Sequence, residues 1–173
     1  MATSLYDMSV PAYLQTLGGV ASVMQKGADY CAEQGMDPAD IVATRLRDDM
    51  APFTFQLISV KHHSLGTIEG LERGELNPPP SIEGLDYAGL QGLVNEAIAG
   101  LEALDRDTVD AYAGKPMYFR MGDFEIPFTA ENFVMSFSLP NFYFHATTAY
   151  DILRMAGVPI GKMDYLGQMR VGN

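Results

Sequence analysis

At 173 residues, 47% hydrophobic and 19% charged, the chain is sized for a single domain over residues 1–173 with a full core, and its composition excludes a disordered tail. Its net charge of −11, with eleven scattered Lys and Arg, argues against a nucleic-acid surface, which rests on clustered basic residues. No apolar run reaches the roughly 20 residues of a membrane span, the N-terminus has no leader-like pattern, and the lone Cys31 cannot form an internal disulfide, so a soluble cytoplasmic protein is expected.

The first long helix is expected from about Ser9, a plausible N-cap with Pro11 in the first turn, to Glu33, ended by Gly35. Tyr13, Leu17, Val20, Met24 and Cys31 recur on one face of it. Asp37-Pro38 opens a short helix to about Leu46. A second long helix starts near Asp48 or Asp49 and runs to Arg73, stopped by Gly74, with Phe53, Leu57, Val60, Ile68 and Leu71 as its buried stripe. The third covers Tyr87 to Leu104, with Leu90, Leu93, Val94, Ala97 and Leu101 inward. The fourth spans Thr129 to Ala156, with Phe133, Phe137, Asn141, Phe144, Thr148 and Ile152 inward. Four long amphipathic helices with short connections predict an all-α, antiparallel four-helix bundle. Between the third and fourth, aromatic and branched residues flank Gly122-Asp123, which predicts a short β-hairpin folded over one end.

Pro140 interrupts the fourth helix and predicts a kink, costing about 3 kcal/mol in an ideal helix interior. Asn141 and Thr148 share the inward stripe there, with His145 at its edge. Two readings follow. In the first, Asn141 satisfies freed backbone carbonyls while Thr148 and His145 sit as bonded core residues. Alternatively, the kink opens a space into which these polar groups point.

His62 and His63 on the second helix and His145 on the fourth are the three histidines of the chain. Adjacent helical residues point about 100° apart, so His62 and His63 should not face one point. Metal-site spacing is missing: there is no HxxxH, no HxxE pair and no cysteine cluster, so neither metal nor other cofactor is expected. Imidazole titrates near neutrality, so one histidine of the second helix facing His145 could act with it as base and acid in a proton relay; His62 is taken as that residue, and whether His62 or His63 faces the pocket stays open. Asn141, Tyr143 or Thr148 would steady a developing enolate. Phe137, Tyr13, Gln56 and His63 complete the expected substrate-binding set, among a stock of 11 Met, 9 Phe and 9 Tyr suited to an apolar ligand.

Three stretches carry a resemblance: Ser4 through Leu17 (SLYDMSVPAYLQTL), Leu46 through Gln56, and Leu139 through Leu153 (LPNFYFHATTAYDIL) followed by Ile160–Gly167 (IGKMDYLG). Together they resemble a bacterial and fungal family of unknown function within the DinB/YfiT-like four-helix superfamily. The resemblance runs from end to end and implies the same bundle. The better-known members of that superfamily hold metal with three histidines, one on the second helix and an HxxxH pair on the last. This chain departs from that pattern, since Ala149 stands four residues after His145, and His62 occupies a position where the family tends to an acidic residue. Fungal relatives occur beside polyketide tailoring enzymes, which implies isomerase-type proton transfer. The leading expectation is therefore a cofactor-independent isomerase moving a proton on an apolar, oxygenated, polyketide-like small molecule through a histidine pair. The expected partner is that molecule, with neither nucleic acid nor membrane, and a homodimer is an open assembly. The alternatives are a non-catalytic binding module and a metalloenzyme with a degenerate site.

Overall fold

The computed structural model describes residues 3–172. It is predominantly helical, with a small three-stranded sheet. Helix α1 (Leu5–Met8) leads into α2 (Val10–Gln34), and α3 (Pro38–Val42) follows. Pro11 sits in the first turn of α2, and Gly35 ends the helix at φ 65° with its N–H on the Cys31 carbonyl, a left-handed cap that favours glycine. Tyr13, Leu17, Val20, Met24 and Cys31 are buried as their spacing predicts. At Gly27 a Cβ would lie 2.5 Å from the Tyr87 hydroxyl, which donates to the Met24 carbonyl at 2.8 Å, so α2 approaches α6 (Tyr87–Glu102) closely there.

The predicted second helix is two helices, α4 (Phe53–His62) and α5 (Leu65–Arg73). Neither Gly nor Pro stands at the break. Instead, the Ser64 hydroxyl donates to the Val60 carbonyl at 2.7 Å, a local bond that competes with the helical ladder. The break frees the His63 carbonyl, which accepts from the Ser138 hydroxyl at 2.7 Å. The stripe Phe53, Leu57, Val60, Ile68 and Leu71 is buried throughout, so the apolar period survives the interruption.

Beyond α7 (Arg106–Asp110), strands β2 (Pro116–Met121) and β3 (Phe124–Thr129) pair antiparallel around Gly122-Asp123, with Met121 opposite Phe124. The expectation was a two-stranded hairpin; β1 (Glu75–Leu76) adds a parallel third strand, pairing Glu75 with Tyr118 and Leu76 with Phe119. An isolated hairpin is marginal in water, and this extra strand ties it to the end of α5.

The expected fourth helix begins as α8 (Ala130–Phe133), passes through a π-helical segment at Val134–Ser138, and continues as α9 (Leu139–Met155). Pro140, with no N–H to give, therefore lies in the first turn of α9 rather than in a continuous interior. The wider i→i+5 bonding inserts one residue into the pattern. The buried face accordingly runs Phe133, Phe142, Ala146, Ala149 and Leu153, whereas Phe144, expected inward, is 57% exposed. The residues α10 (Lys162–Leu166) follow and pack on α2. Helix α2 packs on α6 and α9, and α4 packs on the same two, which brings the α4–α5 break against the π segment. No helix among the described residues is long and apolar enough to cross a membrane.

Candidate functional site

Where α4 breaks and α9 begins, the three histidines converge. The His62 and His63 rings lie with centroids 5.0 Å apart, and His63 and His145 lie parallel at 5.8 Å. The end of α4 at His62 is what allows two adjacent residues to meet the same cluster, against the expectation from an unbroken helix. Aromatic rings wall the group: Phe55 and Phe144 pack edge-on to His145, and Phe137 packs against His63. Phe137 in turn joins Phe119, Phe128 and Phe133.

Each imidazole has a different set of partners. His62 Nε2 bonds the Asn77 carbonyl at 2.8 Å, and its Nδ1 faces Gly66, where a Cβ would lie 3.6 Å away. A carbonyl only accepts, so His62 Nε2 carries the proton of that bond. His62 thus straps the chain after β1 onto α4, and the pairing of His62 with His145 expected from the sequence gives way to His63 beside His145. His145 Nδ1 meets Gln56 Oε1 at 2.7 Å, and Gln56 Nε2 donates to the Ala51 carbonyl at 2.9 Å. The Ala51 carbonyl orients the Gln56 amide, and the amide oxygen then requires a proton on His145 Nδ1. The lone pair of neutral His145 is therefore on Nε2, which has no hydrogen-bond partner among the described residues.

Burial holds all three imidazoles neutral at pH 7. His63 is pulled down to about 3, by burial first and then by His62 and His145. His145 is pulled down to about 4, by burial and then by His62. His62 is lowered by burial, against an opposing contribution from the Asn77 carbonyl. A relay in which one imidazole rests protonated does not suit these environments; a neutral acceptor does.

The remaining expected site residues divide. Gln56 is buried in the cluster and Phe137 walls it. Asn141, one turn before His145, donates its amide to the Phe137 carbonyl at 2.7 Å, as the backbone-satisfying reading had it. Thr148 donates to the Phe144 carbonyl at 2.8 Å. Tyr13 is fully buried with its hydroxyl on Ser138 at 2.6 Å, away from any open site. Tyr143 is 40% exposed and lines a groove of about 490 Å³ beside Pro140, together with Leu46, Met50, Phe144, Thr148 and Asp151. No histidine lines that groove, but Phe144 lines it and touches His145, so the groove abuts the cluster through one ring. A larger cavity, about 580 Å³, lies between the start of α2 and residues 168–171 and contains none of these groups; the histidine cluster, not volume, marks the candidate site.

Sequence reasoning missed Ser138, Thr67 and Ser59. Ser138 donates to the His63 carbonyl, so it accepts from both Tyr13 and Thr67, at 2.6 and 2.7 Å, in a buried three-bond hub. The signal was present in α4 and α5: Gln56, Ser59, His63 and Thr67 recur at i, i+3, i+7 and i+11, a polar line on a helix face that is otherwise apolar.

The metal set that the resemblance implied, one histidine before the α4–α5 break and an HxxxH pair on α9, does not fit these donors. His62 spends Nε2 on a backbone carbonyl, Ala149 stands where a third ligand would be, and among the described residues no group of three His, Cys, Asp or Glu is arranged to hold an ion.

Comparison with known proteins gives the family. Residues 5–166 match the family described as Domain of unknown function (DUF1993), and the chain belongs to it. The crystal structure of a DinB family member protein from Shewanella denitrificans is similar, with a TM-score of 0.80 and 24% sequence identity, covering 98% of this chain and 95% of that one. That likeness shows a DinB-like fold. No curated protein matches the chain significantly.

Proposed function

We propose that this DUF1993 protein is a cofactor-independent, isomerase-type enzyme that moves a proton on an apolar, oxygenated, polyketide-like small molecule, with His145 as general base. The four long helical stretches would act as an antiparallel bundle that frames the site, with the β2–β3 hairpin packed over the Phe137 side. The observation that carries the reading is the Ala51–Gln56–His145 chain of hydrogen bonds. It orients a neutral imidazole in one tautomer with the Nε2 lone pair unbonded among the described residues, the condition a proton acceptor needs. Burial keeps the ring unprotonated at pH 7 and its lone pair available, at the expense of base strength.

The chemistry is balanced within the chain. His145 Nε2 takes a proton from a carbon beside a carbonyl, and the C–H electron pair passes into the enolate. The imidazolium returns the proton at a second carbon of the conjugated system, leaving an isomer and a neutral base. His63 replaces His62 as the second imidazole of the pair. Tyr143 and Thr148 line the groove beside Pro140 that would hold the body of the substrate, and Phe144 stands between that groove and His145. The reading asks for no residue from a second copy.

Candidate polyketide-like ketones turned over in deuterated water should gain deuterium at the carbon that changes, and His145→Ala should abolish it. Full turnover by a folded His145→Ala protein would defeat the proposal. Elemental analysis of the untagged protein is expected to find well under one equivalent of zinc, iron or nickel, and stoichiometric metal held by the histidines would overturn the cofactor-free part.

A further inference from the structure

Helix α4 and its C-terminal cap residue bury Gln56, Ser59 and His63 on one face, and of these only Gln56 has partners for both its polar atoms among the described residues. Ser59 is 0% exposed and His63 is 3% exposed, yet Ser59 Oγ and His63 Nδ1 have no hydrogen-bond partner among the described residues. Ser59 is unusual for this protein. Ser9, Ser64 and Thr148 each turn the hydroxyl back to the carbonyl four residues before, on Leu5, Val60 and Phe144. Ser59 does not take the same bond to Phe55 and keeps its hydroxyl in the interior. Buried polar atoms are almost always paired, so two stranded ones side by side call for a partner from outside the chain.

Residues at i and i+4 lie roughly 5–6 Å apart between Cβ atoms on one helix face. That gap suits a single small polar molecule bonded to both. Water fits it best: it offers two donors and two acceptors, buried waters make about three hydrogen bonds, and the second N–H of the Gln56 amide stands one turn away for the third. Among the described residues the titratable groups that act on His63 are the neutral His62 and His145, so no charge is there to select an ion.

We propose that Ser59 Oγ and His63 Nδ1 hold a buried structural water between them, and that this water sets His63 as the Nε2–H tautomer. Ser59 has no other acceptor among the described residues, so its hydroxyl donates to the water; with the second Gln56 N–H on the water's other lone pair, only a water proton is left for His63 Nδ1, and the His63 proton stays on Nε2. The pair then has opposite polarity: His145 presents a lone pair and His63 presents an N–H. Resting on the proton-transfer reading, this makes His63 the neutral hydrogen-bond donor to the enolate oxygen and Ser59 a positioning residue acting through the water. Neutral imidazole is a competent electrophile in that role, and the corresponding substrate is one whose carbonyl oxygen gains charge as the proton leaves carbon.

Long-range proton–nitrogen correlation spectra of ¹⁵N-histidine-labelled protein at pH 7 read each tautomer directly. The expected pattern is a bare Nδ1 with protonated Nε2 for His63 and the reverse for His145. A high-resolution crystal structure should show an ordered water within hydrogen-bonding distance of Ser59 Oγ and His63 Nδ1. Ser59→Ala should move His63 into a tautomer mixture and lower kcat at least tenfold with KM little changed, while Ser59→Thr keeps the wild-type spectrum. A proton on His63 Nδ1 in the wild type, a dry Ser59–His63 gap, or an unmoved His63 spectrum in Ser59→Ala would overturn the proposal. The spectrum and the crystal need no variant to fold. They also separate the two readings: if His145→Ala keeps its turnover while the water and tautomer are found, proton transfer by His145 falls and the water site stands.

Discussion

Replacing Gln56 by Leu removes the amide that orients His145 while keeping the side-chain volume close to native. Gln56 is 2% exposed and makes two bonds, to His145 Nδ1 at 2.7 Å and to the Ala51 carbonyl at 2.9 Å. Leucine strands both partners. A buried donor or acceptor left unmade costs about 1–3 kcal/mol. His145 is half-buried and can recruit water, which puts its share at the low end. The sum is about 2–4 kcal/mol, and for a chain of this size roughly 2–4 °C of melting temperature accompanies each kcal/mol, giving a loss of roughly 5–15 °C. Urea unfolding at pH 7 measures the free energy, and imidazole nitrogen shifts report whether His145 loses its single tautomer. Gln56→Glu is the contrasting case. It keeps the acceptor for His145 but sets a carboxylate against the Ala51 carbonyl, so the His145 pKa should rise from its depressed value as stability falls. A Gln56→Leu protein as stable as the wild type, with His145 still in one tautomer, would refute the argument that this amide organises the site.

Two further outcomes follow from the same geometry. His63 and His145 have folded pKa values of about 3 and about 4 against an ordinary 6.5, so the unfolded chain binds more protons between those limits; the stability they contribute is complete above pH 6.5 and is lost as pH falls toward 4 and 3. Urea midpoints should therefore decline from pH 7 to pH 4.5, above the range where the lowered carboxyls of Asp7 and Asp164 begin to matter, and His63→Gln should flatten the decline; an identical slope in that variant would count against a buried neutral His63. Ser138→Ala removes the acceptor of Tyr13 and Thr67 and the donor to the His63 carbonyl in one step, so a loss of about 2–4 kcal/mol is expected by calorimetry, and a loss under about 0.5 kcal/mol would show that the hub is not holding the α4–α5 break.

Periodicity made the core legible wherever the backbone was regular. Phe53, Leu57, Val60, Ile68 and Leu71 are buried across a break that the sequence does not announce, because burial follows the apolar face and not the continuity of the hydrogen-bond ladder. The break itself depends on partners far away in the chain: Ser64 bonds locally, but the carbonyl it frees is satisfied by Ser138, 75 residues on. Local propensity cannot see such a contact. The same limit explains Phe144. Its spacing from Phe133 and Phe137 placed it inward on an ideal α-helix, and one added residue in the π segment turned it out, putting Phe142 where Asn141 was expected and Ala146 near the place of Phe144.

For the site, the sequence supplied the residue types and the fold supplied the pairing. Three histidines on two helices were enough to expect imidazole chemistry, but choosing His62 over His63 assumed a straight helix. Ending α4 at His62 gives that residue to the Asn77 carbonyl and leaves His63 parallel to His145. Gln56 was expected to touch substrate; in the structure it bonds His145 Nδ1 and the Ala51 carbonyl, and in the proposed reading it orients the base. The polar line Gln56, Ser59, His63 and Thr67 could have been read from spacing alone, since each departs from an apolar face at helical intervals. What spacing could not supply is the tautomer. That follows only from tracing donors outward from His145 to a carbonyl with no proton to give, the Ala51 oxygen, and it is this constraint that makes His145 an acceptor rather than one more buried histidine.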